Sequence, residues 1–158
     1  MSRETQLWIM VDLETSGPVI GTHSMTELAG AAGSPKHGVI SRFEAVLQPI
    51  GTEVVSGAAS FAKAKKEGKP PDEVMKAFAA WCVPFMNLNG IFVARPSAFD
   101  WPWIVWYART FLGNNPFGYK VVCAMSWDLA KGRKFGVRLS RNPARDAENQ
   151  LNNFLKDA

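Results

Sequence analysis

Asp12, Glu14, Asp100 and Asp146 are the residues of this 158-residue chain whose type and placement suit chemistry. Asp12 and Glu14 close the run Trp8-Ile9-Met10-Val11-Asp12-Leu13-Glu14, and Gly17-Pro18 then breaks it with a turn. Residues 7–11 are too short and too rich in β-branched and aromatic side chains for a helix, so they read as a buried strand ending at the carboxylates. Side chains alternate along a strand, which puts Asp12 and Glu14 side by side and sends Leu13 into the opposite layer. Adjacent carboxylates repel unless a cation sits between them, and an all-oxygen site suits a hard divalent ion such as Mg2+ or Mn2+. The same Asp-x-Glu also fits a solvated turn with no ion at all.

Asp100 and Asp146 each have a structural reading beside the chemical one. Asp100 stands where an N-cap is expected, ahead of a helix in which Trp103, Tyr107 and Phe111 recur every four residues. Asp146 falls in the first turn of a helix capped by Asn142 and opened by Pro143, where a carboxylate complements the helix dipole. Their functional interest depends on whether the fold brings them beside Asp12 and Glu14.

The elements that must do so are legible in outline. Strands are expected over 25–32 and 39–47, separated by the turn Ser34-Pro35-Lys36-His37-Gly38, which makes an antiparallel meander with the first strand. A short helix is expected over about 56–67, then a longer one from Pro70-Pro71-Asp72 with Val74, Phe78, Trp81 and Phe85 on one face, which Pro84 should end or kink. Ile91-Phe92-Val93-Ala94 has the unbroken apolar character of a parallel strand buried on both faces. Val121-Val122-Cys123 is a strand, residues 126–130 a short helix, and the last helix buries Ala147, Leu151, Phe154 and Leu155. Trp101, Trp103, Trp106 and Tyr107 read as core rather than as a base-stacking platform.

Composition narrows the class. With 47% hydrophobic and 20% charged residues the chain is neither disordered nor a disulfide-stapled miniature, and its length suits a single domain over 1–158. No stretch is apolar enough to span a membrane, and Met1-Ser2-Arg3-Glu4 lacks a secretory leader, so a cytoplasmic protein with no membrane partner is expected, with Cys82 and Cys123 as reduced core thiols. Net charge is +4, and the positive residues cluster: Lys63, Lys65, Lys66 and Lys69 in one group, Lys131, Arg133, Lys134, Arg138, Arg141 and Arg145 in another that holds no acidic residue. Each cluster fits a solvated face, and together they fit contact with a polyanion.

Three motifs in this order, Val11-Asp12-Leu13-Glu14-Thr15-Ser16-Gly17, Ala98-Phe99-Asp100 and Asp146-Ala147 ahead of an apolar helix, resemble those of the DEDD superfamily of 3′ to 5′ exonucleases, which includes RNase T, oligoribonuclease and polymerase proofreading domains. The resemblance runs from Ile9 to Leu155. It implies an α/β, RNase H-like fold, a mixed five-stranded sheet flanked by helices, with Asp12, Glu14, Asp100 and Asp146 holding two divalent cations, Mg2+ or Mn2+. It further implies that Thr15, His23, Ser24 and Met25 bind the terminal nucleotide of single-stranded RNA or DNA, and that a homodimer is compatible with the family. Phosphodiester hydrolysis explains the ligand set, since two metals about 4 Å apart acidify the attacking water and stabilise the leaving oxygen.

The third motif departs from the family. Active members place a histidine five residues before the last aspartate or a tyrosine four before it, and here those positions hold Arg141 and Asn142. Neither is a base, although a guanidinium fork at Arg141 suits a phosphate. Three accounts fit: catalysis slowed but carried by the metals, a base supplied by His23 or His37, or a catalytically weak or inactive nucleic-acid-binding module. A structural domain with an exposed tryptophan patch is a third class. The second motif departs too, with Arg95-Pro96 where an amide or histidine often stands. The reading that best uses all four carboxylates is a metal-dependent 3′ to 5′ exonuclease.

Overall fold

The structure, a computed structural model, describes residues 3–133 and 140–158. Lys134 and Arg138 of the basic segment lie outside the described residues. The first strand, β1 (Trp8–Thr15), pairs antiparallel with β2 (Met25–Ser34), which pairs antiparallel with β3 (Gly38–Val46), so the meander forms as expected. Helices α1 (Ala58–Glu67) and α2 (Pro71–Asn87) then carry the chain to β4 (Ile91–Ala94), which lies parallel to β1 on its other side. Next come α3 (Ser97–Leu112), β5 (Val121–Cys123) parallel to β4, α4 (Ala124–Ala130) and α5 (Pro143–Leu155). Strand order across the mixed sheet is β3-β2-β1-β4-β5.

Each face of the sheet has its own core. Ile9, Val11 and Leu13 of β1 join Phe78 of α2 and Trp103 and Tyr107 of α3 on one side. Trp8 and Met10 join Ala29 and Ala31 of β2 and Leu151 and Phe154 of α5 on the other. The small residues of β2 are what let the flanking layers approach: a Cβ on Gly30 would stand 2.7 Å from the Trp81 ring. Trp101, Trp103 and Tyr107 are buried, as a core reading requires, while Trp106 is half-buried and packs against that core.

Three local expectations are corrected. The first strand does not end at the carboxylates but continues to Thr15, because Glu14 and Thr15 find ladder partners in Glu27 and Met25. Pro84 does not end α2; it falls in the last turn, where it forfeits only the bond to one carbonyl four residues back, and the helix runs on to Asn87. Cys123 is half-buried rather than core, while Cys82 is buried, and both are free thiols. Among the described residues no helix is long and apolar enough to cross a membrane.

Candidate active site

Period-two alternation puts Asp12 and Glu14 on the same face of β1 as Trp8 and Met10, so one strand face passes from core to carboxylates as it runs toward its C-terminal end. That face looks onto α5, which contributes Asp146. Asp100 comes from α3, entered directly from β4, the neighbour of β1. Four carboxylates from three elements thereby line one cavity of about 470 Å³, together with Thr15, Ser56, Gly57, Arg95, Phe99 and Arg141.

Asp100 is not the cap it was expected to be. Helix α3 begins at Ser97 with Pro96 in the cap position, and the Pro96 carbonyl accepts the Phe99 and Asp100 amides. Proline has no N–H to offer, so the Asp100 side chain reaches back past it and accepts the Arg95 amide at 3.2 Å. Asp146 accepts the Ser140 amide through both carboxylate oxygens, at 3.0 and 2.9 Å. The α5 cap is as expected: Asn142 Oδ1 accepts the Arg145 amide at 3.0 Å.

Only 6% of Asp12, 3% of Asp100 and 5% of Asp146 is exposed, so these carboxyl groups are largely removed from water. Burial first, then Asp100, Asp146 and Glu14, push the Asp12 carboxyl up to about 8, against a lowering hydrogen bond from Gln150. Asp100 is pushed up to about 7, chiefly by burial. Burial and the cross-strand Glu27 raise Glu14, while Arg141 opposes them. Glu27 is itself paired with Lys63 at 3.0 Å. Across from the acids, Arg95 is buried and ion-paired to Asp128, and Asp128 also meets Arg133 at 2.8 Å.

An all-oxygen donor set with excess buried negative charge fits a hard divalent cation in kind. Asp12, Asp100 and Asp146 are meanwhile each hydrogen-bonded to a neighbour, and among the described residues no three His, Cys, Asp or Glu side chains are placed to hold a metal ion.

The other expected site residues divide. Thr15 and Arg141 line the cavity, Arg141 with the left-handed φ of 59°. His23, Ser24 and Met25 are buried outside its lining and brace the loop that follows β1. The His23 ring packs so tightly on Gly17 that a Cβ there would lie 2.3 Å from it, and its Nδ1 accepts the Val19 amide at 3.0 Å. Ser24 Oγ accepts the Ile50 amide at 3.0 Å, and the Met25 amide donates to the Tyr107 hydroxyl at 2.7 Å. His37 bonds Ser34 in the turn between β2 and β3, at the Trp8 end of β1 and away from the carboxylates. Among the described residues no histidine or tyrosine lines the cavity.

Sequence reasoning missed Ser56, Gly57 and Gln150. The first two arrive through a long loop whose amides at 55 and 56 bond the Ser16 carbonyl, a contact with no local signal. Gln150 was readable, since it follows Asp146 by one helical turn on the same face.

No family model matches the chain. It is 31% identical over 148 residues to the 3′-5′ DNA exonuclease Cap18 of Escherichia coli, an alignment covering 83% of this chain and 77% of that protein. Among solved structures, product-bound exonuclease I superposes with a TM-score of 0.73 at 10% identity, over 96% of this chain and 43% of that one. E. coli exonuclease I in complex with a dT13 oligonucleotide gives 0.62 at 11% identity, over 80% and 29%. The chain therefore spans less than half of exonuclease I, and that likeness identifies the fold as RNase H-like. The sequence match goes further: with the four ordered carboxylates gathered in one cavity, the chain belongs to the DEDD-type 3′–5′ exonucleases.

Proposed function

We propose that this chain removes nucleotides from the 3′ end of single-stranded DNA, with Asp12, Glu14, Asp100 and Asp146 holding Mg2+ or Mn2+ ions. The observation that carries the reading is the convergence of these acids, three of them nearly sealed from solvent, on one cavity that also holds Arg141. DNA is favoured over RNA because Cap18 is named a DNA exonuclease and exonuclease I has been solved with a DNA oligonucleotide. When bound, the cations supply acidification of water and stabilisation of charge on the departing oxygen.

The chain's own side chains do the rest. Arg141, always protonated, takes non-bridging phosphate oxygens and cannot act as base. Phe99, part-exposed on the cavity wall, offers a face to the terminal base or sugar. Thr15 and the loop at Ser56 and Gly57 form the opposite wall, and His23, Ser24 and Met25 hold the backbone of the first loop in place behind it. Asn142 is occupied as the α5 cap. Among the described residues no imidazole or phenol stands on the cavity wall to take the water's proton, which favours a slow enzyme, since a general base commonly contributes about 10² to 10⁴ in rate. A catalytically weak or inactive binding module is the second reading, favoured by Arg141 at the base position.

The test is a 5′-labelled single strand, as DNA and as RNA, incubated with Mn2+ or with excess chelator, beside Asp12→Ala. A descending DNA ladder that requires both metal and Asp12 is expected. An intact label with salt-sensitive retention of the strand selects the binding module.

A further inference from the structure

We infer that Gln150 is a positioning residue for the metal site, fixing the Asp12 carboxylate from behind; this rests on the metal-dependent reading above. Gln150 lies on α5 one turn beyond Asp146, so a single helix face presents both a carboxylate and an amide to Asp12. Its Nε2 donates to Asp12 Oδ1 at 3.2 Å, and only 3% of the residue is exposed. This is the hydrogen bond that opposes the proton-retaining pull of burial on Asp12.

The other end of the same amide shows what the residue is for. Gln150 Oε1 is buried and has no hydrogen-bond partner among the described residues. A carbonyl oxygen sealed from water without a donor is unfavourable, and an apolar side chain of similar shape would avoid stranding it. The surroundings on α5 are already apolar: Ala147, Leu151 and Phe154 belong to the core beneath this helix. Packing alone thus gives no reason for a glutamine, and the bond made by its nitrogen does. One Asp12 oxygen is tied to α5, which sets the carboxylate's rotation on β1 and leaves its second oxygen for the cavity. Partners of this kind, bonded to a ligand rather than to the ion, commonly govern metal affinity by about 10- to 100-fold.

The experiment is Mn2+ titration by calorimetry of wild type, Gln150→Leu and Gln150→Met, with thermal melting of the same proteins in chelator. Expected is at least a ~10-fold loss of Mn2+ affinity in both variants, with metal-free melting temperatures close to wild type, since removing the stranded Oε1 and removing the donor to Asp12 act in opposite directions. Wild-type affinity in the variants overturns the inference and leaves the metal reading standing. A loss of affinity that tracks a fall in metal-free melting temperature also overturns it, because a packing role alone would produce that. Absence of Mn2+ binding by wild type removes the metal reading and this inference with it.

Discussion

Replacing Asp12 by asparagine should stabilise the metal-free protein, and by an amount that depends on pH. The Asp12 carboxyl, ordinarily near 3.8, is pushed up to about 8 by burial and by the acids around it. The folded chain therefore holds this proton more tightly than the unfolded chain, so the stabilisation is complete below about pH 4 and is lost as pH rises toward about 8. Each unit is worth ~1.4 kcal/mol, and about three units separate the ordinary value from pH 7, so keeping Asp12 protonated in the fold while the unfolded chain releases that proton lowers stability by up to ~4 kcal/mol there. Asparagine carries no charge, and its Oδ1 can still accept from Gln150 Nε2. If half of that penalty is relieved, a chain of this length should melt about 4–8 °C higher. The assay is thermal melting of wild type and Asp12→Asn in chelator, from about pH 4.5 to about pH 8, repeated with Mn2+. The gap should be small at the acidic end and widen steadily with pH, and Mn2+ should raise the wild type but not the variant. A variant that melts at or below wild type at about pH 8 in chelator would refute the electrostatic argument.

Arg141→Ala should raise KM for single-stranded DNA by about tenfold and flatten the dependence of log affinity on log salt by ~0.7, the signature of one lost phosphate contact; an unchanged salt slope counts against Arg141 as a phosphate ligand. Arg141→His restores an imidazole at the base position and should raise kcat by ~10-fold or more while weakening strand binding, read by steady-state kinetics. Gly30→Ala forces a Cβ to within 2.7 Å of the Trp81 ring and should lower stability by ~1–3 kcal/mol in urea denaturation, with an unchanged midpoint showing that the ring gives way freely. Asn142→Ala removes the acceptor of the Arg145 amide and should lower stability by about 1 kcal/mol in the same assay.

The parts of the site that were legible in the sequence are those governed by local periodicity. Asp12 and Glu14 share a face because strands alternate, and Asp146 falls in a first turn because Asn142-Pro143 marks where that helix starts. Asp100 was misjudged by one helical turn, because an aspartate before an aromatic helix pattern looks like a cap, whereas the chain enters the helix at Pro96 and uses the aspartate to satisfy the Arg95 amide instead. His23, Ser24 and Met25 were placed correctly in the loop after β1 and the strand that follows, but nothing local says that their polar atoms turn inward, to Val19, Ile50 and Tyr107 respectively. The approach of Ser56 and Gly57 depends on a loop closing over Ser16, which is a tertiary event. Likewise the placing of β4 beside β1, which brings Asp100 to Asp12, follows from a crossover and not from any residue within either strand.

The face of β1 that carries Trp8 and Met10 into the core and then Asp12 and Glu14 into the cavity has a consequence for how this protein can change over generations. Loss or gain of a single codon in the strand ahead of Asp12 that shifts its register would turn both acids into the aromatic layer beneath α2 and α3 and put Leu13 on the cavity face in their place. Such a register shift costs the core and the site together, unless a bulge like the irregularity between Glu14 and Thr15 absorbs it. Length variation is therefore expected to be purged from this strand and to collect in segments such as the turn after β2, where no acid depends on the count.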